Sequence, residues 1–109
     1  MGRKKKLSEQ ILKNIINRIV EVAHPEKIIL FGSAARGEMG PNSDVDILVV
    51  VKPGVHRRKL AGEIYKNLIG VGQAVDVIVV TTEDIERYKD SFALIIEPAL
   101  KEGQVVYAA

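Results

Sequence analysis

Two kinds of hydrophobic pattern alternate along the chain. Ile11, Leu12, Ile15, Ile16, Ile19, Val20 and Ala23 recur at three- and four-residue intervals, which predicts a long helix with one apolar face. Ser8 stands where an N-cap belongs, and Pro25 ends the segment. By contrast, Ile28–Phe31, Val45–Val51 and Val75–Val80 are short continuous apolar runs. Such runs predict strands buried on both faces. Leu60, Ala61, Ile64, Tyr65 and Leu68 return to helical spacing, closed by Gly70 and Gly72. Thr81 followed by Asp84 predicts a capped short helix. Ser91 predicts the start of another, carrying Phe92, Leu94, Ile95 and Leu100, kinked at Pro98 and closed by Gly103. Val105–Tyr107 predicts a last edge strand.

The order is helix, strand, helical turn, strand, helix, strand, helices. It argues for an α/β (α+β) domain in which helices cover a small sheet. The 109 residues suit one domain, expected over residues 7–109 behind a basic tail at residues 1–6.

Composition narrows the chemistry. There is no cysteine, which excludes disulfides, thiol catalysis and Cys-ligated zinc. His24 and His56 are the only histidines. Lacking partner spacing, they read as structural. Any metal must therefore be held by oxygen, which points to a hard ion such as Mg²⁺. The net charge of +2 comes from the tail, since Arg3, Lys4, Lys5 and Lys6 are four of the 16 basic residues. The remaining body has 12 basic residues against 14 acidic ones, a net of −2. The tail is either a nucleic-acid contact or simply a solvated, disordered terminus. No stretch is long and apolar enough for a membrane span, and Leu7 is followed by the polar Ser8, Glu9 and Gln10 rather than by a signal-peptide core. The expected location is cytoplasmic.

One segment concentrates chemistry: Phe31-Gly32-Ser33-Ala34-Ala35-Arg36-Gly37-Glu38, then Ser43-Asp44-Val45-Asp46-Ile47. A strand running into Gly32 allows a sharp turn and close approach of backbone to a ligand. Ser33 offers a hydroxyl and a backbone N–H at an expected helix start, a setting that favours phosphate. Asp44 and Asp46 are two apart at the head of a strand, so their carboxylates share a face. Two like charges so close repel, and a divalent cation relieves that repulsion. Asp76 lies in an aliphatic run, where a charged residue needs a partner. A strand beside the Asp44–Asp46 strand would bring it to the same cluster. Arg36 is open between a nucleotide phosphate and an ion pair with Glu38. Arg57, Arg58 and Lys59 read as the solvated face of the second helix.

Gly-Ser, ten intervening residues and Asp-x-Asp resembles the signature of the nucleotidyltransferase superfamily, the polymerase-β-like fold. At roughly 5–7% abundance per residue type, four fixed positions coincide at a given start about once in 10⁵. The wider pattern Gly-Ser-x-Ala-Arg-Gly-Glu and the ending Ala99-Leu100-Lys101-Glu102-Gly103-Gln104-Val105-Val106-Tyr107 are similar to the minimal nucleotidyltransferase branch, the MntA-type antitoxins of HEPN/MNT pairs. The resemblance implies a small mixed β-sheet flanked by helices, two Mg²⁺ ions held by Asp44, Asp46 and Asp76, and nucleotide phosphates held by Gly32, Ser33 and Arg36. It also implies transfer of AMP from ATP to a tyrosine of a cognate HEPN-type ribonuclease toxin. Larger members carry further domains that bind the acceptor, so a protein partner is expected to supply it here. Two alternatives stay open: an antitoxin acting by contact alone, or a subunit modifying a small molecule or an RNA end. An exposed edge strand near Val105 leaves a homo-oligomer open as well.

Overall fold

The computed structural model describes residues 7–40, 42–87, 99 and 101–109. Helix α1 (Glu9–Ala23) opens the domain. The Ser8 hydroxyl accepts a hydrogen bond from the Ile11 amide at 3.4 Å, the N-cap arrangement the sequence predicts. The helix stops at His24, which enters the left-handed region at φ +44° and sends its N–H to the Val20 carbonyl. This is a C-terminal position that glycine usually fills. His24 is thus a structural residue that turns the chain into Pro25.

Strands β1 (Lys27–Phe31), β2 (Val45–Val51), β3 (Val75–Thr81) and β4 (Gln104–Ala108) form one sheet in the order β3-β2-β1-β4. β2 lies antiparallel to β1 and parallel to β3, so the sheet is mixed. β4 pairs antiparallel with β1, with an irregularity between Ile28 and Ile29. Between the strands come the single turn α2 (Gly32–Ala35), helix α3 (Arg57–Asn67) and the short α4 (Thr82–Arg87). Nδ1 of His56 accepts from the Lys59 amide and caps α3, which gives the second histidine a structural role too. Thr81 and Asp84 cap α4 reciprocally, through Thr81 N–H to Oδ2 at 2.8 Å and Asp84 N–H to Oγ1 at 2.9 Å. The predicted helix after Ser91, with Phe92, Leu94, Ile95, Pro98 and Leu100, lies outside the described residues, as does the tail at residues 1–6.

Strand alternation divides the core in two. On one face, Val45, Ile47, Val49 and Val51 of β2 pack with Ile15 and Ile19 of α1 and Leu60 and Ile64 of α3. On the other, Leu48 and Val50 join Ile29, Val80 and Ala99 in a smaller cluster. Complete burial of a large aliphatic side chain is worth about 1.5–3 kcal/mol. Among the described residues, Ile15, Ile19, Ile28, Ile47 and Ile64 on the helical face are fully enclosed.

Among the described residues, no helix or strand element falls between α2 and β2, where a loop is expected over Glu38–Ser43, and Met39 of that segment is buried in the larger cluster. One expectation needs correction. Gly103 follows helical residues as predicted, and its N–H bonds the Ala99 carbonyl at 3.0 Å, but it lacks the positive φ of a glycine C-cap. Crowding demands glycine instead. A Cβ there would run into the Ala99 carbonyl and the Ile29 side chain.

Candidate active site

Three strand ends meet at one end of the sheet. β1 finishes there, while β2 and β3 begin there. Register aligns Phe31 with Asp46, and Asp46 with Asp76, in a single cross-strand row. Their side chains share a face with Leu48 and Ile78, opposite α1 and α3. Asp44 immediately precedes β2. Asp46 is half-buried, whereas Asp44 and Asp76 are exposed.

Gly32 ends this row from the β1 side. Its φ of +69° is accessible to few residues other than glycine. A Cβ at Gly32 would collide with Oδ2 of Asp46, so the backbone turn and the carboxylate occupy adjoining space. The helix predicted at Ser33 is only the four-residue α2. A helix that short has little macrodipole. What Ser33 could offer an anion is its hydroxyl and local N–H groups, at a half-exposed position directly after Gly32.

Electrostatics single out Asp46. Burial, then the Asp76 carboxylate, then that of Asp44, push its pKa above the usual carboxylate value, while the Arg36 guanidinium pulls the other way. Arg36 pairs with Glu38 at 3.5 Å, both half-exposed. Of the two options open for Arg36 in sequence, the structure shows the ion pair with Glu38, and the guanidinium also lies close enough to Asp46 to favour its charged form.

The carboxylate-bearing segments are fastened from behind. Gln73 sends its Nε2 to the carbonyls of Ser43 and Ala74, both at 3.1 Å. The Val45 amide reaches the Ala74 carbonyl at 2.9 Å, and the Gly40 amide reaches Ser43 Oγ at 2.8 Å. These bonds lock the segment entering β2 against the segment entering β3. Tyr65, which helical spacing assigned to the apolar stripe of α3, is instead 41% exposed and hydrogen-bonds at Asp76 and Val77. The one sequence signal of this was a hydroxyl in an otherwise aliphatic stripe. Beside it opens a cleft of about 300 Å³ lined by Tyr65, Ile69, Val75 and the Gly70–Gln73 turn.

The donor set suits a hard cation. Among the described residues, no three carboxylate or imidazole groups close into a metal cage. Nucleotide-bound Mg²⁺ needs no such cage, because it uses one or two carboxylates with phosphates and waters. Asp44 and Asp46, with Asp76 in register, meet that requirement. The mutual repulsion registered at Asp46 is of the kind a bound cation removes.

A mixed sheet with the Gly32 turn pressed against aligned aspartates defines an α+β domain with its candidate site at one end of the sheet. The nucleotidyltransferase domain model matches residues 10–106, and the chain belongs to that family. No protein of curated function matches the sequence. Among solved structures, a protein assigned as a nucleotidyltransferase from Sulfolobus solfataricus is 22% identical, with a TM-score of 0.54 over 94% of this chain and 90% of that one. A chain from a toxin–antitoxin complex with AMP-PNP is 22% identical, with a TM-score of 0.59 over 89% and 73%. One from the complex of tri-AMPylated Shewanella oneidensis HEPN toxin with its MNT antitoxin is 18% identical, with a TM-score of 0.54 over 91% and 73%. At such identities the likeness is one of fold. No helix among the described residues is long and apolar enough to cross a membrane.

Proposed function

We propose that this domain is an Mg²⁺-dependent adenylyltransferase that moves AMP from ATP onto a tyrosine hydroxyl of a HEPN-type ribonuclease partner, and so acts as an antitoxin. The observation that carries the proposal is the Gly32 turn set directly against the Asp46 carboxylate, with Asp76 in register beside it. The likeness to toxin–antitoxin chains, one with AMP-PNP and one beside an AMPylated toxin, supports the choice of nucleotide and acceptor.

In this mechanism Gly32 and Ser33 would bind the terminal phosphates, with Arg36 beside them, and Asp44 and Asp46, with Asp76, would hold the metal. Mg²⁺, when bound, neutralises phosphate charge and lowers the pKa of the acceptor hydroxyl. The acceptor oxygen forms a bond to the α-phosphorus as the bond to the bridging oxygen breaks and pyrophosphate leaves. Asp76, exposed on the edge strand β3, helps ligate the metal or takes the hydroxyl proton. The cleft lined by Tyr65 and Ile69 gives the partner a surface, and Tyr65 links that cleft to Asp76.

The test is incubation with labelled ATP, Mg²⁺ and the HEPN partner. Wild-type protein transfers label to a partner tyrosine. Asp44→Asn/Asp46→Asn loses at least about 10³-fold, since metal stabilisation of the transition state is worth several kcal/mol. Complex formation without label would replace this proposal with neutralisation by contact, and full turnover by the double variant would remove the carboxylates from the mechanism.

A further inference from the structure

We propose that Tyr65 is a positioning residue that fixes the Asp76 carboxylate at the edge of the candidate site. The inference rests on the function proposed above for Asp76, but its geometry stands independently.

Tyr65 lies on α3 next to the buried Ile64 but is 41% exposed, so packing does not account for it. The hydroxyl has other work. β3 is an edge strand whose one sheet neighbour is β2. Its Val77 N–H points away from that neighbour and donates to the Tyr65 hydroxyl at 2.8 Å. The same hydroxyl has one proton to give. Its acceptors are Oδ1 of Asp76 at 3.3 Å and the Val77 carbonyl at 3.4 Å. A charged acceptor makes the stronger bond, so the carboxylate takes the proton. One phenolic oxygen therefore ties the β3 backbone to the Asp76 side chain.

Such a tether is needed at this position. Asp76 is exposed and has no packing to select its rotamer. Asp46 faces it across the strand pair with like charge. Without a tether, repulsion would turn the Asp76 carboxylate away from Asp46, and free rotation would add an entropic cost to its return. Tyr65 holds one carboxylate oxygen and leaves the second for ligand or acceptor. Partners of this kind, one shell behind a metal-ligating side chain, typically change metal affinity or activity about 10–100-fold when removed.

A double-mutant cycle tests it, with Tyr65→Phe, Asp76→Asn and the combination. Two quantities are read: Mn²⁺ affinity by electron paramagnetic resonance in the presence of AMP-PNP, and kcat and KM for AMP transfer to the partner. Thermal melting confirms that each variant is folded. Tyr65→Phe weakens Mn²⁺ binding and lowers kcat about 10–100-fold, while the KM for ATP stays within about twofold because Gly32 and Ser33 are untouched. In the Asp76→Asn background, Tyr65→Phe adds no further loss. A folded Tyr65→Phe with wild-type Mn²⁺ affinity, or an equal loss in both backgrounds, overturns the assignment. If the wild-type protein transfers no AMP, the proposed function fails while the Mn²⁺ cycle still decides the role of Tyr65.

Discussion

The two faces of β2 carry different tasks. Val45, Ile47, Val49 and Val51 point into the cluster under α1 and α3, and all are nearly or fully enclosed. Asp46, Leu48 and Val50 point the other way, into a smaller cluster that ends at the carboxylates. The pleat thus keeps stability and chemistry one residue apart along a single strand. A one-residue slip would exchange the faces, placing Asp46 among isoleucines and Val45 among charges. The large helical core therefore does more than stabilise the domain: it fixes the register on which the alignment of Asp46 with Asp76 depends.

This division can be broken from either side. The largest effect is expected from Ile19→Ala, which empties a fully buried position on the helical face. Chemical denaturation should show a loss of about 2–5 kcal/mol, with AMP transfer per folded molecule unchanged. A drop in specific activity matching the drop in stability would show the faces to be coupled. Next comes Gly32→Ala on the other face. Its Cβ meets Asp46, and its φ of +69° is strained for alanine by about 1–2 kcal/mol. Displacing a reacting group by an ångström can cost about 10²-fold in rate, so transfer should fall by that order while the protein stays folded. Wild-type rates in Gly32→Ala would show that the turn does not set the position of Asp46.

The smallest effect concerns pH in chelator-treated protein. The pKa of Asp46 is raised in the fold, chiefly by burial and then by Asp76 and Asp44. The folded state therefore binds a proton more readily than the unfolded chain. Stability from this group is present at acid pH below the unfolded carboxylate value, and is lost as pH rises through the raised folded value. Asp46→Asn should flatten that part of the stability profile and leave the metal-free protein more stable at neutral pH. An unchanged profile would mean that the like-charge crowding is relieved in solution.

Most of the helical face was legible in sequence because it repeats. The α1 stripe and the valine run of β2 each carry several concordant signals, and β2 spans the predicted Val45–Val51. The Thr81–Asp84 box was legible because capping is local. The site was legible only in part. Gly32, Ser33, Asp44 and Asp46 lie within fifteen residues and form a pattern, whereas the pairing of Asp46 with Asp76 spans thirty positions and is fixed by strand register. Tyr65 and Gln73 were not legible at all as partners of this end of the sheet. Their role depends on how α3 lies across β3, and no spacing in the sequence encodes that. Gly103 was read as a helix-closing glycine, but its crowding, from the Ala99 carbonyl and from Ile29 of β1 more than seventy residues away, was not legible.

Helix α3 behaves as a beam clamped at both ends. At its start, Arg57 grips Asp84 at 2.9 Å, the same carboxylate that caps α4. Beyond its end, Arg18 of α1 takes the carbonyls of Asn67 at 3.2 Å and Ile69 at 2.8 Å, and Asn67 returns a bond to the Arg18 carbonyl. A beam held this way resists sliding and rolling, so the reach of its Tyr65 toward β3 is set by anchors far from the tyrosine. Loosening either clamp would detune the Asp76 carboxylate at a distance, without touching a single group that meets the nucleotide.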